Sequence, residues 1–202
     1  MLAGNDGNDS MRRPAFLIKA SPLPLVYAIY PEGSSDLGFE MRIAPHFTVG
    51  INGGVAYSNP FFRFSSHQHG YFFSGEFRYY FPKRNGTYLS FSPAYNCIFF
   101  SPNVDFKLAN GEYLKEVSYT EQTNAFCVYF GMEGNGEKSR WPLDFSIGAG
   151  AGYRYGNAPG LNADEINFID HNSIAGLKGD KTGWHVVPVV NINARICFII
   201  RD

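Results

Sequence analysis

Ser65, Ser66, His67 and His69 stand together in one polar stretch, and Asp164, Glu165, Asp170 and His171 in another. A serine hydroxyl becomes a nucleophile when a base such as histidine lies within hydrogen-bond reach, and a third group orients that base. His67 and His69 are also spaced as same-face neighbours on an extended strand, a pattern that can hold a metal. Both groups fall in segments that read as loops, where solvated polar residues are the ordinary expectation. No catalytic and no metal-ligating residue is therefore assigned. Cys97, Cys127 and Cys197 form an odd set without metal spacing and read as small apolar fillers. Gly148 to Gly152 lacks both the following helix and the Lys-Ser/Thr pair of a phosphate loop. No cofactor is expected.

What the chain does repeat is a two-residue rhythm. From Leu143 to Tyr155 one face reads Leu, Phe, Ile, Ala, Ala, Tyr, Tyr, and the other Asp, Ser, Gly, Gly, Gly, Arg. Successive side chains of a strand point to opposite faces, so this segment has an apolar wall and a polar one. The pattern recurs over Leu37–Ala44, Phe47–Ala56, Phe73–Phe81, Leu89–Phe99, roughly Ser118–Gly131 and Val190–Ile200. Phe16 to Tyr30 is the weakest repeat, because Pro22 and Pro24 interrupt the ladder and imply a bulge or register change. Eight strands result. The polar faces carry glycines and isolated charges, which suits the cramped interior of a small closed barrel.

Lys19, Arg42, Arg78, Arg154 and Arg195 fall on the polar faces, with Glu40, Glu76, Glu121 and Asp144. A near-balanced set in a narrow interior should pair off, since an unpaired buried charge is expensive. The expectation is a lumen plugged by ion pairs, hydroxyls and amides, with no aqueous pore.

Composition fits an all-β membrane or secreted protein. The chain has 202 residues, enough for one closed barrel. Aromatics reach 17%, whereas charged residues are only 17%, below the roughly 25% of ordinary soluble domains. The net charge of −1 gives no reason to expect nucleic acid as a partner. No apolar run approaches the ~18 residues of a membrane-spanning helix, so a bilayer crossing would have to be a barrel. Residues 1–13 are polar and Gly/Asn/Asp-rich and read as a disordered tail, with the barrel occupying 14–202. They lack the apolar core of a signal peptide, so the chain reads as a mature sequence whose signal has been removed.

Connection lengths give an independent argument. The odd connections, about Pro31–Asp36, Ser58–Gly70, Ser101–Val117 and Gly156–Gly183, run long. The even ones, about Pro45–His46, Pro82–Gly86 and Met132–Trp141, are tighter. Long loops at one end and short turns at the other are the pattern of outer-membrane barrels. Tyr79, Phe81, Trp141, Tyr153, Tyr155 and Trp184 all lie at strand ends, where ring body and polar tip suit a lipid–water interface. The longest loop carries Leu161, Ile166, Phe168, Ile169, Ile174 and Leu177, too apolar for a solvated tip. It is expected to pack on itself, on the barrel mouth or on another protein.

These segments resemble the small eight-stranded outer-membrane barrels of the OmpA/OmpX type, and more closely the uncharacterised barrels of the Bacteroides group. The resemblance rests on LGFEMRIA at Leu37–Ala44, HFTVGINGGVAY at His46–Tyr57, GEFRYYFP at Gly75–Pro82, FSIGAGAGYRY at Phe145–Tyr155 and the final amphipathic strand. It covers roughly residues 14 to 200. Such barrels usually end on a terminal aromatic, whereas this chain closes Phe198-Ile199-Ile200-Arg201-Asp202. The resemblance implies an all-β, eight-stranded antiparallel up-and-down transmembrane β-barrel in a bacterial outer membrane. Its partners would be outer-membrane lipid or lipopolysaccharide and a protein at the external loops, especially 156–183. A non-enzymatic structural or interaction role is the leading expectation. A soluble lipocalin-like carrier, with the walls reversed, and a lipid A-modifying outer-membrane enzyme using the His-bearing loops are the alternatives.

Overall fold

A computed structural model describes residues 16–21, 32–58, 67–82, 86–108, 111–134, 142–171 and 182–201. The alternating segments become long strands: β1 (Phe16–Ser21), β2 (Glu32–Ala44), β3 (Phe47–Ser58), β4 (His67–Tyr80) and β5 (Thr87–Ser101). A hairpin of β6 (Asn103–Leu108) and β7 (Gly111–Glu116) follows, then β8 (Tyr119–Glu133), β9 (Leu143–Asn157), helix α1 (Ala163–His171) and β10 (Gly183–Arg201). β6 and β7 pair only with each other; the remaining strands pair antiparallel in chain order, with β5 against β8, and β1 pairs with both β2 and β10. The result is a closed, up-and-down ring of eight strands. Its seam is in register at Lys19, which faces Gly38 on one side and Cys197 on the other.

The short connections are tight for visible reasons. Pro45 and His46 alone separate β2 from β3, and the His46 carbonyl accepts from the Tyr80 amide at 2.8 Å. At the β4–β5 turn Gly86 takes φ 76°, and a Cβ there would strike the Glu133 carbonyl. Only glycine adopts that conformation freely.

Several expected boundaries move. Strand β2 begins at Glu32, so most of the expected first loop Pro31–Asp36 is strand, including Asp36. Strand β4 begins at His67, which puts His67 to His69 on the ladder rather than in a loop. The expected loop Ser101–Val117 contains the β6–β7 hairpin, and the expected loop Gly156–Gly183 contains α1. Strand β8 runs on to Glu133, into what read as a turn. Ladder pairing extends past the last clean repeat of apolar residues, so boundaries set by that repeat fall short. Pro22, Pro24, the 1–13 tail, Ser65, Ser66, Trp141, Ile174 and Leu177 lie outside the described residues, as do the side chains of His67, Asp170 and His171.

The hairpin and helix form a second layer at the loop end. Val104, Phe106, Val117, Ile169 and Ala158 pack with Ile98, Phe100 and Tyr119 from the ends of β5 and β8. Leu161 and Phe168 join them, so with Ile169 three of the apolar residues of the longest loop pack on the barrel mouth. Asn162 caps α1: its side-chain oxygen accepts from the Glu165 amide at 2.9 Å, and Glu165 accepts from the Asn162 amide at 2.8 Å. This reciprocal pair satisfies two amides that the first helical turn leaves free.

Candidate functional site: a buried ion network and an apolar outer wall

Two neighbouring register rows define the ring. Met41, Val49, Phe77, Phe91, Val128, Ala149 and Val190 stand side by side across seven strands. One residue further along, the row reads Arg42, Thr48, Arg78, Ser90, Tyr129, Gly148 and Asn191. The first row faces out, with Met41, Phe77, Phe91, Val128 and Val190 exposed; in the second, Thr48, Arg78, Ser90 and Tyr129 are buried. Leu37, Ile51, Phe73, Phe126, Phe130, Leu143, Phe145 and Ile147 extend the exposed apolar wall.

Glycine lets the enclosed face close. A Cβ on Gly148 would run into the Tyr129 ring, and one on Gly131 into the Tyr88 ring. In each pair the aromatic lies across from the glycine in the adjoining strand, a device that protects glycine within a ladder. At Gly150 the obstacle is backbone: a Cβ would meet the Phe126 carbonyl, with the Cys127 Cα at 2.8 Å.

Near the short-turn end the buried charges converge on two cations. Lys19 Nζ lies 2.6 Å from Glu40, 2.9 Å from Asp144 and 3.4 Å from Glu133. Arg78 holds Glu76 with both nitrogens of its fork, Nε at 2.7 Å and Nη2 at 2.8 Å. Its Nη2 also reaches Asp144 at 2.8 Å, and its guanidinium carbon stacks 4.1 Å from the Tyr88 ring centre. The Tyr80 hydroxyl sits 2.9 Å from oxygens of both Glu40 and Glu133, and the Tyr88 hydroxyl donates to Asp144. Further along, Arg195 binds Asp36 at 3.1 Å and approaches Glu76 at 3.5 Å, while Arg154 lies 3.1 Å from Glu121. Lys19 and Arg78 are each 1% exposed, so these ions depend on one another rather than on water. On the loop side of the network lies a cavity of about 280 Å³ lined in part by Asp36, Asn96, Thr123, Arg154 and Asn191.

The structure thus brings Lys19, Glu40, Glu76, Arg78, Asp144 and Arg195 into one network and pairs Glu121 with Arg154. Arg42 is only half-buried, beside the Pro45–His46 turn. Sequence reasoning missed Asp36 and Glu133, both placed in connections. Each lies on the polar parity of its strand, a signal that extending the alternation would have caught. With them the expected near-balance gives way to an acid excess: Asp36, Glu40, Glu76, Glu121, Glu133 and Asp144 against Lys19, Arg78, Arg154 and Arg195. Tyr80 and Tyr88 enter the network through hydroxyls to which the alternation alone assigns no partner.

Other candidates take structural places. The ligand atoms of Glu133, Asp144 and Cys197 lie within 4.8 Å of one another. Lys19 and Arg78 already supply the positive charge a metal would bring, so the donor set does not fit one. All three cysteines are free and buried. His69 is exposed and stacks on Phe99 with ring centres 5.3 Å apart, and the His185 ring contacts the Thr182 carbonyl at 2.9 Å. Asp164 is exposed in the first turn of α1, near whose start Glu165 holds the hairpin. Glu165 accepts from Lys115 at 2.8 Å and from the Tyr113 hydroxyl at 2.9 Å. Those bonds, Lys115 foremost, hold its carboxyl below the usual glutamate range.

Aromatics gather at both ends of the strands. Tyr79 lies between Phe47 (5.2 Å) and Phe81 (5.5 Å) at the short-turn end. Tyr155 lies 5.0 Å from Trp184 near the loop end, where Tyr71 contacts Tyr95 and Phe99 and Tyr153 is exposed. No family model, curated protein or solved structure matches this chain.

Proposed function

We propose that this chain is an integral outer-membrane β-barrel, a non-enzymatic structural or interaction protein that presents its loop end to a partner or ligand. One observation carries the reading: the ring is inside out, with ion pairs enclosed and large apolar side chains exposed around it. Water would leave that wall as a continuous apolar patch, far beyond what soluble monomers expose, whereas hydrocarbon solvates it. Among the described residues no helix is long and apolar enough to cross a membrane, which leaves crossing to strands. Strands β2 to β5 and β8 to β10 have 12 to 19 residues, and about 9–11 suffice for a tilted crossing.

The enclosed network supports a filled interior without an aqueous pore. Outer-membrane lipid or lipopolysaccharide would meet the wall, and a protein or surface polymer would meet the cap built from β6, β7 and α1. The soluble-carrier alternative needs apolar residues inside, and the buried Lys19–Arg78 network speaks against it. The test is gel mobility of refolded protein in SDS, boiled against unboiled. A faster unboiled band is expected; identical mobility together with solubility in plain buffer would overturn the reading.

A further inference from the structure

The outer wall has a trench. A groove of about 910 Å³ crosses it, walled by Ile18, Leu37, Phe39, Ile51 and Phe73 and floored by Gly53 and Gly75, which have no side chain, and by the compact Pro93 ring. At Gly53 a Cβ would crowd the Phe73 ring at 3.1 Å, but the Gly75 part of the floor is not a by-product of packing. At Gly150 a Cβ would press on backbone, with the Cys127 Cα at 2.8 Å, so glycine is required there. At Gly75 a Cβ would meet only the Pro93 ring, at 3.6 and 4.0 Å, which is ordinary contact. The backbone there makes no left-handed turn either.

The fold gives up pairing to form this notch. Pro93 has no amide to donate in mid-strand. The β4–β5 register passes from Ser74–Ala94 to Phe77–Phe91 without pairing Gly75, and the inward Ser92 hydroxyl satisfies the Gly75 carbonyl at 2.7 Å.

We infer that this groove holds an acyl chain of a bilayer phospholipid, an inference that rests on the membrane reading above. Its walls are hydrocarbon and carry no ion to complement a charged partner. The strands that line it are paired on both sides, so no free edge invites another strand. A flexible hydrocarbon chain needs neither. The groove lies between the aromatic cluster around Tyr79 and the one around Tyr71 and Tyr155, the level of the bilayer core in the proposed orientation. Tyr95 and Asn124, which face each other in register, line it and mark a polar end.

The test uses the barrel in vesicles of palmitoyl-oleoyl phosphatidylethanolamine and phosphatidylglycerol, extracted in mild detergent and weighed by native mass spectrometry. Wild type is expected to keep one phospholipid, and Gly75→Leu, which fills the floor, to lower that occupancy about tenfold. Ala149→Leu, on the exposed wall outside the groove, should keep the lipid. Equal occupancy in all three, or none in any while each keeps its heat-dependent gel shift, would overturn the inference. A doubled mass abolished by Gly75→Leu would overturn it too, since the occupant would be a second copy. Loss of the gel shift in wild type would strike the membrane reading itself, and the groove inference with it.

Discussion

Lys19→Met tests the network where it is most crowded. The lysine neutralises Glu40, Asp144 and Glu133, all within 3.4 Å and all buried with it. Removing one partner of a buried ion pair costs about 3–5 kcal/mol, because the charges left behind keep their desolvation penalty. Here three carboxylates would be left with Arg78 as their near cation. Two like charges about 4 Å apart repel by about 4 kcal/mol at an effective dielectric constant of about 20, so the upper half of the range is expected. With a denaturant slope of about 2 kcal/mol per molar urea, the midpoint should fall by about 2 M. Unfolding in vesicles can be followed by loss of the fast-migrating band. Glu40→Gln placed on Lys19→Met should recover part of the loss, about 1–2 kcal/mol, because it removes one of the repelling charges. A single variant within about 0.5 kcal/mol of wild type, the range of inconsequential surface changes, would refute the reasoning. So would a double variant no more stable than Lys19→Met.

Further outcomes follow from particular contacts. Gly150→Ala should destabilise the ring by about 1–3 kcal/mol despite adding a single methyl, because the obstacle is the β8 backbone; an unchanged urea midpoint would contradict it. Glu165 has its carboxyl held below the usual range when folded, so its contribution is present above the unfolded value of about 4.3 and is lost as pH falls through the lower folded one. Protection factors of the β6 and β7 amides, exchange corrected for its intrinsic pH dependence, should therefore fall on acidification below about pH 4, and Glu165→Gln should show low protection at neutral pH that changes little with pH. Equal protection of wild type and variant at pH 7 would dismiss the latch. In planar bilayers the protein should give no conductance above protein-free controls, since the network closes the ring near its short-turn end; steady channel steps would refute the plug.

The ring was legible because it obeys one rule. Alternation of apolar and polar positions put Leu143 to Tyr155 on correct faces, and eight such repeats, each paired with its chain neighbour, leave closure as the way to remove the edges. The same rule placed Lys19, Arg78, Asp144 and Arg195 together without showing distances. What it could not give was decided by contacts between remote segments. The hairpin and helix pack against the ends of β5 and β8; Asn110-Gly111, between alternating Val104, Phe106, Leu108 and Tyr113, is a local hairpin signal that the loop reading of Ser101–Val117 passed over. Asp36 and Glu133 were lost to boundary placement, although Arg195 holds Asp36 at 3.1 Å and Lys19 reaches Glu133 at 3.4 Å. The groove at Gly75 was hidden for a different reason. A glycine in an alternating strand looks alike whether a ring fills the space above it or nothing does.

The central claim is that the apolar wall meets hydrocarbon. Nitroxide labels at Val128 and Ile147, on the wall, and at Leu114, on the exposed hairpin, test it in phospholipid vesicles. The account predicts frequent collisions with oxygen and rare ones with a water-soluble nickel chelate at Val128 and Ile147, and the reverse at Leu114. Nickel collisions at Val128 and Ile147 as frequent as at Leu114 would contradict it.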